Sequence, residues 1–441
     1  MGKLKSIILA LVFDLIFAAS LQAADGYKTT FVDLGHQSAV LYQPVLKVEK
    51  SSIGIVVMHS DDDYLGFCAN SELSKRGYTV LATLPAKGKN MEPKLLNIKA
   101  AVDYLRQDPN IRKVVLLGHS GGATVMTAYQ LLAEQGLKAL SGKIYTDYST
   151  KVANLPKADG MLLLDANWGN SLMALMSLDP NITGQGCGMN VAKKLDLADV
   201  AVGYNPNGSS NYTEAFRKAF NQGQRDRLMN LMASASARLS AIKAGKGEFS
   251  DDEPFVVAGG CQIRPFNKLF PQDLQLMAHT KEAWPVIKAD GSVKVEIARS
   301  VRAPMKPDAT SESLAAAEVT TVRGYLSSCA ITVGEDFRVR EDRIDGVQWN
   351  SNINTPVGNV EGITVPLMCM GMTGSWEYLA SESIYAHSVS KDKSLGFVEG
   401  ASHMFWPDND AELYNHTKYG DTVKHLFDYV DRWLEAKGRF L

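Results

Sequence analysis

Residues 118 to 122 read Gly-His-Ser-Gly-Gly, directly after the apolar run KVVLL and at the head of an amphipathic stretch, ATVMTAYQLL. A strand that turns sharply into a helix leaves no room for side chains two positions before and two after the turn, which is where Gly118 and Gly122 fall. The turn holds its central residue in a strained conformation and lifts it above the C-terminal edge of a sheet, near a helix N-terminus that favours developing negative charge. A purely structural glycine-rich turn has the same composition, but the setting between a strand and a helix favours Ser120 as a nucleophile.

A hydroxyl is a weak nucleophile without a base, so the chain must bring a histidine to it. Of eight histidines, His403 in FVEGASHMFWPD follows an apolar run near the C-terminus, in a small-residue loop that precedes the last helical pattern. His119 adjoins the serine but is expected to point to the other side of the turn, and His36, His279, His387, His416 and His425 read as surface or packing residues. The base in turn needs an acid to fix its tautomer and stabilise the imidazolium. Two carboxylates compete for that role: Glu377, in MCMGMTGSWEYLASE, and Asp165, which ends the apolar run in GMLLLDANWG. Glu377 is preferred, because an acid after the penultimate strand, in the chain order Ser, acid, His, is the usual arrangement. An oxyanion hole needs two N–H donors. One is expected from Gly121 and the other from Asp61, in the loop where His59 and Ser60 follow the run GIVVM. The acidic stretch Asp61–Asp62–Asp63 reads as a solvated loop rather than a metal site, and the chemistry calls for no cofactor.

These residues need a scaffold. KTTFVDL and AVLYQPVL read as antiparallel strands, and SIGIVVMHS as a buried strand. Helical patterns then alternate with apolar runs as far as GMLLLDAN, which predicts a parallel sheet with right-handed crossovers. From Trp168 to Val360 the alternation gives way to Gly-, Asn- and Asp-rich loops with scattered helical pieces. It resumes with GITVPLMCMGM, a helix over 376–388, the strand SLGFVEG, and a final helix with Val423, Leu426, Phe427, Val430, Trp433 and Leu434 on one face. The expected organisation is a leader over 1–23, a first core part over 24–167, a cap insertion over 168–360 and a second core part over 361–441.

The chain has 441 residues, more than one typical domain, which fits a core with a large insertion. A formal charge of −2, without a basic run, argues against nucleic acid as a partner. The N-terminus has two lysines, an apolar run from Ile7 to Phe17 and small residues to Ala24, the layout of a secretory signal cut after Ala23; Asp14 inside the run leaves a retained anchor as the alternative. The protein is therefore expected to be exported, to the periplasm or beyond, with no stable membrane span after cleavage. Five cysteines suit an oxidising compartment but cannot all pair. Cys369 reads as a packed thiol, and Cys187, Cys261 and Cys329 as the disulfide candidates.

With the elbow at Ser120, HS after an early strand and GASHMF near the end, the chain resembles the α/β-hydrolase superfamily over residues 30 to 170 and 360 to 441, closest to exported carboxylic-ester hydrolases. The resemblance implies a mostly parallel eight-stranded sheet, a Ser-His-acid triad and a cap inserted after the sixth strand. Two positions depart from the pattern. Ser60 stands where a glycine is frequent, and Gly374 and Ser375 stand where the acid usually lies. The expected reaction is cleavage of a small-molecule carboxylic ester through an acyl-enzyme on Ser120, with His403 as base and Glu377 as acid. The alternative is a non-catalytic protein that binds a ligand or partner on a hydrolase scaffold. Trp168, Met173, Met176, Met189, Phe216, Phe220, Met229 and Met232 either line an apolar acyl pocket or are simply core.

Overall fold

The computed structural model describes residues 26–35, 37–182, 194–260, 269–304, 317–407 and 418–441. The expected leader, Cys187, Cys261, Met189, His36 and His416 lie outside the described residues.

Fourteen strands are described: β1 (Tyr27–Asp33), β2 (Ser38–Pro44), β3 (Ile53–Val57), β4 (Thr79–Thr83), β5 (Lys113–Ser120), β6 (Gly160–Ala166), β7 (Pro254–Ala258), β8 (His279–Ile287), β9 (Val293–Arg299), β10 (Ala317–Thr321), β11 (Thr332–Val339), β12 (Ile344–Gln348), β13 (Leu367–Met372) and β14 (Lys393–Val398). Ten of them form one sheet in the order β1-β2-β4-β3-β5-β6-β13-β14-β8-β9. Every neighbouring pair from β4 to β8 is parallel, and β1, β2 and β9 add antiparallel edges. The central strands are covered on both faces, which is why β3, β6 and β13 are buried at every position.

Alternate residues of a strand face opposite sides, and β5 shows the consequence. Val114 and Leu116 join one apolar cluster with Leu95, Ile98 and Val102 of α2 (Met91–Gln107) and Val125 and Met126 of α3 (Gly122–Gln135). Val115 and Leu117 join the other, with Leu73 of α1 (Cys68–Lys75) and the predicted stripe of the last helix, α8 (Thr422–Leu434). The starts of α2 and α8 are capped by side chains, with Asn90 accepting from Glu92 N–H and Asp421 from Lys424 N–H.

The sheet has ten strands instead of the eight expected, because the segment read as a cap returns to it. β8 pairs in parallel with β14, Phe397 opposite Val286, and then turns back as β9. The rest of that segment carries two small antiparallel pairs, β7–β10 and β11–β12, and the helices α4 (Asn170–Ser177), α5 (Glu214–Lys243) and α6 (Val322–Ser328). The helix expected over 376–388 is shorter, α7 (Ala380–His387), since the residues after β13 first make a turn. Cys369 is fully buried in β13 as a free thiol, and Cys68 is also free. Cys329 is fully buried. No helix among the described residues is long and apolar enough to cross a membrane.

Candidate active site

Ser120 ends β5, and Gly121 opens α3 immediately after it. The serine has φ 52°, a left-handed conformation that costs an ordinary side chain energy and persists only where its surroundings impose it. The glycines around it are dictated by close packing. A Cβ on Gly118 would lie 2.6 Å from Ala123 Cα, one on Gly121 would lie 2.2 Å from Ser60 Oγ, and one on Gly122 would lie 2.6 Å from the Met58 carbonyl oxygen. The first turn of α3 is thus pressed onto β5 itself and onto the end of β3.

His403 arrives from the loop after β14 and is fastened over the elbow through its own backbone. Its carbonyl oxygen accepts from His119 Nε2–H at 2.7 Å, and Tyr64 OH donates to His119 Nδ1 at 2.7 Å. Both His119 nitrogens are therefore committed, which explains a cluster of His119, Asp165 and His403 that otherwise has metal-ligand proximity. His119, expected on the other side of the turn, lies against the His403 ring, with centroids 4.4 Å apart, and ties the His403 loop to β5. His387 pairs instead with Glu361, at 2.7 Å.

The acid is where the sequence reading is corrected. Asp165 is fully buried at the end of β6, next to β5 in the sheet, and its Oδ2 accepts from His403 Nδ1–H at 2.7 Å. Its other oxygen accepts from Met372 N–H at 2.9 Å, so the carboxylate bridges β6 and β13. Like Ser120, Asp165 has a positive φ, 46°. Glu377, preferred on chain order, does not reach Nδ1. It sits on the other side of the ring, with Oε2 3.7 Å from His403 Nε2, and accepts from Ser120 Oγ at 3.4 Å. The order of strands in space puts β6 directly beside β5, so the carboxylate at His403 Nδ1 is Asp165 and not the Glu377 preferred on chain order.

Two carboxylates facing one imidazole have an electrostatic effect. Burial works against the charged ring of His403, but the Glu377 charge and the hydrogen bond and charge of Asp165 outweigh it and raise its pKa to about 9. The imidazolium form is thus favoured at neutral pH in the unliganded site.

The oxyanion loop also departs from expectation. Asp61 N–H donates to His59 Nδ1 at 3.1 Å, and Asp62 N–H to the same atom at 2.9 Å, so the Asp61 donor is engaged within its own loop. Because Nδ1 accepts two hydrogen bonds, the His59 proton resides on Nε2, which lies 3.3 Å from where a Gly121 Cβ would be. Burial lowers the His59 pKa to about 4, so the ring is neutral at pH 7. The Asp61 carboxylate, read as solvated, is 31% exposed and also paired: Oδ1 lies 3.0 Å from Lys94 Nζ and 3.4 Å from Lys89 Nζ, and Oδ2 accepts from Ser60 Oγ at 2.7 Å. Although burial opposes it, the two lysines hold that carboxyl well below the usual range. Of the apolar residues weighed for an acyl pocket, Trp168, Met173, Met176, Phe216 and Phe220 are buried members of one core cluster, while Met229 is exposed.

No family model matches the chain, and no curated protein matches it in sequence. Among solved structures it is similar to a hormone-sensitive lipase from a metagenome library, at 11% identity over 94% of this chain and 87% of that one, with a TM-score of 0.42. It is also similar to an inhibited esterase B from Lactobacillus rhamnosis, at 10% identity over 98% and 96% with a TM-score of 0.41, and to Est1E from Butyrivibrio proteoclasticus, at 10% over 92% and 97% with a TM-score of 0.39. The chain's own strand order, its elbow at the end of β5 and its histidine loop after β14 give it the mostly parallel α/β architecture expected from the sequence.

Proposed function

We propose that the chain is a serine hydrolase that cleaves a carboxylic ester through an acyl-enzyme, with Ser120 as nucleophile, His403 as base and Asp165 as the acid that orients it. The observation that carries this reading is a serine held at φ 52° and a histidine whose Nδ1 is 2.7 Å from a buried carboxylate, both within 3.7 Å of one oxygen of Glu377. Ser120 Oγ attacks the acyl carbon as its proton passes to His403 Nε2. Asp165 holds Nδ1–H and stabilises the imidazolium that results. The oxyanion is met by Gly121 N–H at the start of α3, with His59 Nε2–H beside Gly121 in place of the engaged Asp61 N–H; one such donor typically contributes about 2.7 to 4 kcal/mol to the transition state. The imidazolium then protonates the leaving alcohol, and water releases the acyl group by the same path in reverse.

A fluorophosphonate probe tests the reading. Labelling at Ser120, abolished in Ser120→Ala, is the expected result. A folded chain that takes up no label and hydrolyses no p-nitrophenyl ester would favour the ligand-binding alternative.

A further inference from the structure

The loop that delivers His403 is a short hairpin. Ala401 and Pro407 pair antiparallel, Ser402 N–H donates to the Trp406 carbonyl at 2.6 Å, and Phe405 N–H donates to the Ser402 carbonyl at 2.9 Å, so His403, Met404 and Phe405 form its tip. A three-residue tip closes when its last residue takes a left-handed conformation, a place that glycine usually fills. Here Phe405 fills it, at φ 75°.

An aromatic residue stays in that conformation only where its surroundings hold it. The Phe405 ring is fully buried, with its centroid 4.9 Å from that of His119, 5.5 Å from that of Phe67 and 5.8 Å from that of Phe427, and the Phe405 carbonyl accepts from Thr422 Oγ1–H at 2.6 Å. With Phe405 turned into the core, its two neighbours stay outside: Met404 is 43% exposed and Trp406 50%. A thioether and an indole thus meet solvent on either side of the anchored residue, one and three positions from the base. The apolar residues weighed for an acyl pocket, such as Trp168, Met173 and Phe216, are by contrast packed into the core.

We propose, on the basis of the serine-hydrolase reading above, that Met404 and Trp406 form the subsite for the leaving alcohol, so that the preferred substrates are esters of aromatic alcohols. The placement follows from the path of the proton. His403 Nε2 hands its proton to the leaving oxygen, so the alcohol half departs past the tip that carries His403, whereas the acyl half stays bonded to Ser120. A flat ring set against the indole and the Met404 sulfur takes apolar surface out of water on both partners, and sulfur and aromatic groups attract one another. Because the hairpin is closed by its own hydrogen bonds and bolted down by Phe405, its backbone has little freedom to lose when the ring binds.

The test compares kcat/KM by pH-stat for benzyl acetate, ethyl acetate and methyl phenylacetate, the last an isomer of benzyl acetate that carries its ring on the acyl side. The wild-type chain is expected to prefer benzyl acetate to each of the others by about tenfold to a hundredfold, the range for burying an apolar group of that size. In Trp406→Ala, and to a smaller degree in Met404→Ala, the ratio of benzyl to ethyl acetate is expected to fall toward one; it is read within each variant, so a general loss of activity does not enter it. Equal rates on benzyl and ethyl acetate in the wild type, or a ratio that stays the same in both variants, overturn the subsite and leave the hydrolase reading standing. Preference for methyl phenylacetate overturns the placement on the alcohol side. Equal rates together with binding to phosphatidylcholine vesicles that is lost in Trp406→Ala would make the tip a lipid-docking surface and overturn the subsite as well. Absence of both turnover and fluorophosphonate labelling removes the hydrolase reading and the subsite with it.

Discussion

Two carboxylates approach one histidine, and substitution separates their roles. Asp165→Asn keeps the shape of the side chain but lets an amide N–H face Nδ1, which favours the wrong tautomer; turnover is expected to fall about 10³- to 10⁴-fold in steady-state assays. Glu377→Gln, off the Nδ1 side, is expected to cost much less on an uncharged ester, and the opposite ranking would return the acid role to Glu377. The variant also has a pH signature. With its pKa raised to about 9, His403 is largely charged at neutral pH, so kcat/KM is expected to rise through the alkaline range as the ring deprotonates. Removing the Glu377 charge destabilises the imidazolium, so the acid limb of the profile should move toward lower pH; a profile that stays in place would contradict the 3.7 Å ion pair. By linkage, a histidine raised above its ordinary value contributes stability that is fully present below about 6.5 and lost as pH climbs through about 9. The elbow that holds Ser120 and the loop that carries His403 were legible in the sequence because each is a turn of small residues whose composition signals its geometry. The acid was not, since Asp165 and Glu377 both follow apolar strands and only the lateral order β5-β6-β13 says which carboxylate reaches Nδ1.

At the scale of elements, the elbow depends on α3 lying against β3 and β5 closer than any side chain allows. Gly118→Ala would put a methyl 2.6 Å from Ala123 Cα, a backbone atom that can yield only if the whole helix start shifts. Such overpacking is expected to destabilise the fold by about 1 to 3 kcal/mol, measured by urea unfolding, and to lower the rate of fluorophosphonate labelling as Ser120 moves. Unaltered stability and labelling would mean that the helix start is less closely seated than these distances require. The same strand–helix junction was readable in advance from its glycines. The tether between β5 and the His403 loop, from Tyr64 OH through His119 to the His403 carbonyl, was not, because nothing in the spacing of residues 64, 119 and 403 announces that they meet.

For the whole molecule, the sequence foretold a parallel sheet interrupted by a long insertion, since the strand runs on either side have the continuous apolar character of doubly covered strands. It did not foretell that the insertion would lend β8 and β9 to that sheet, because β8 (HTKEAWPVI) lies on the outer side of β14 and carries polar residues among its apolar ones, as an outer strand can. Core and insertion also meet at charged residues: Lys89 lies 3.4 Å from Asp61 of the oxyanion loop and 3.7 Å from Glu318 of β10, while Lys94 on α2, fully buried, takes the same Asp61 oxygen at 3.0 Å. Lys94→Met keeps most of the side chain's volume but removes one cation from a carboxylate that is 31% exposed. Breaking a fully buried pair from one side typically costs about 3 to 5 kcal/mol, because the remaining charge has lost its compensation. Asp61 is partly in water and Lys89 still faces it, so the loss measured by denaturant unfolding at pH 7 is expected below that range. Asp61 has a depressed pKa, so the wild-type advantage should be full above the ordinary aspartate value and fade as pH falls through the lowered one. An advantage of the wild type that held constant down to strongly acidic pH would place the effect of Lys94 in its packing rather than in its charge.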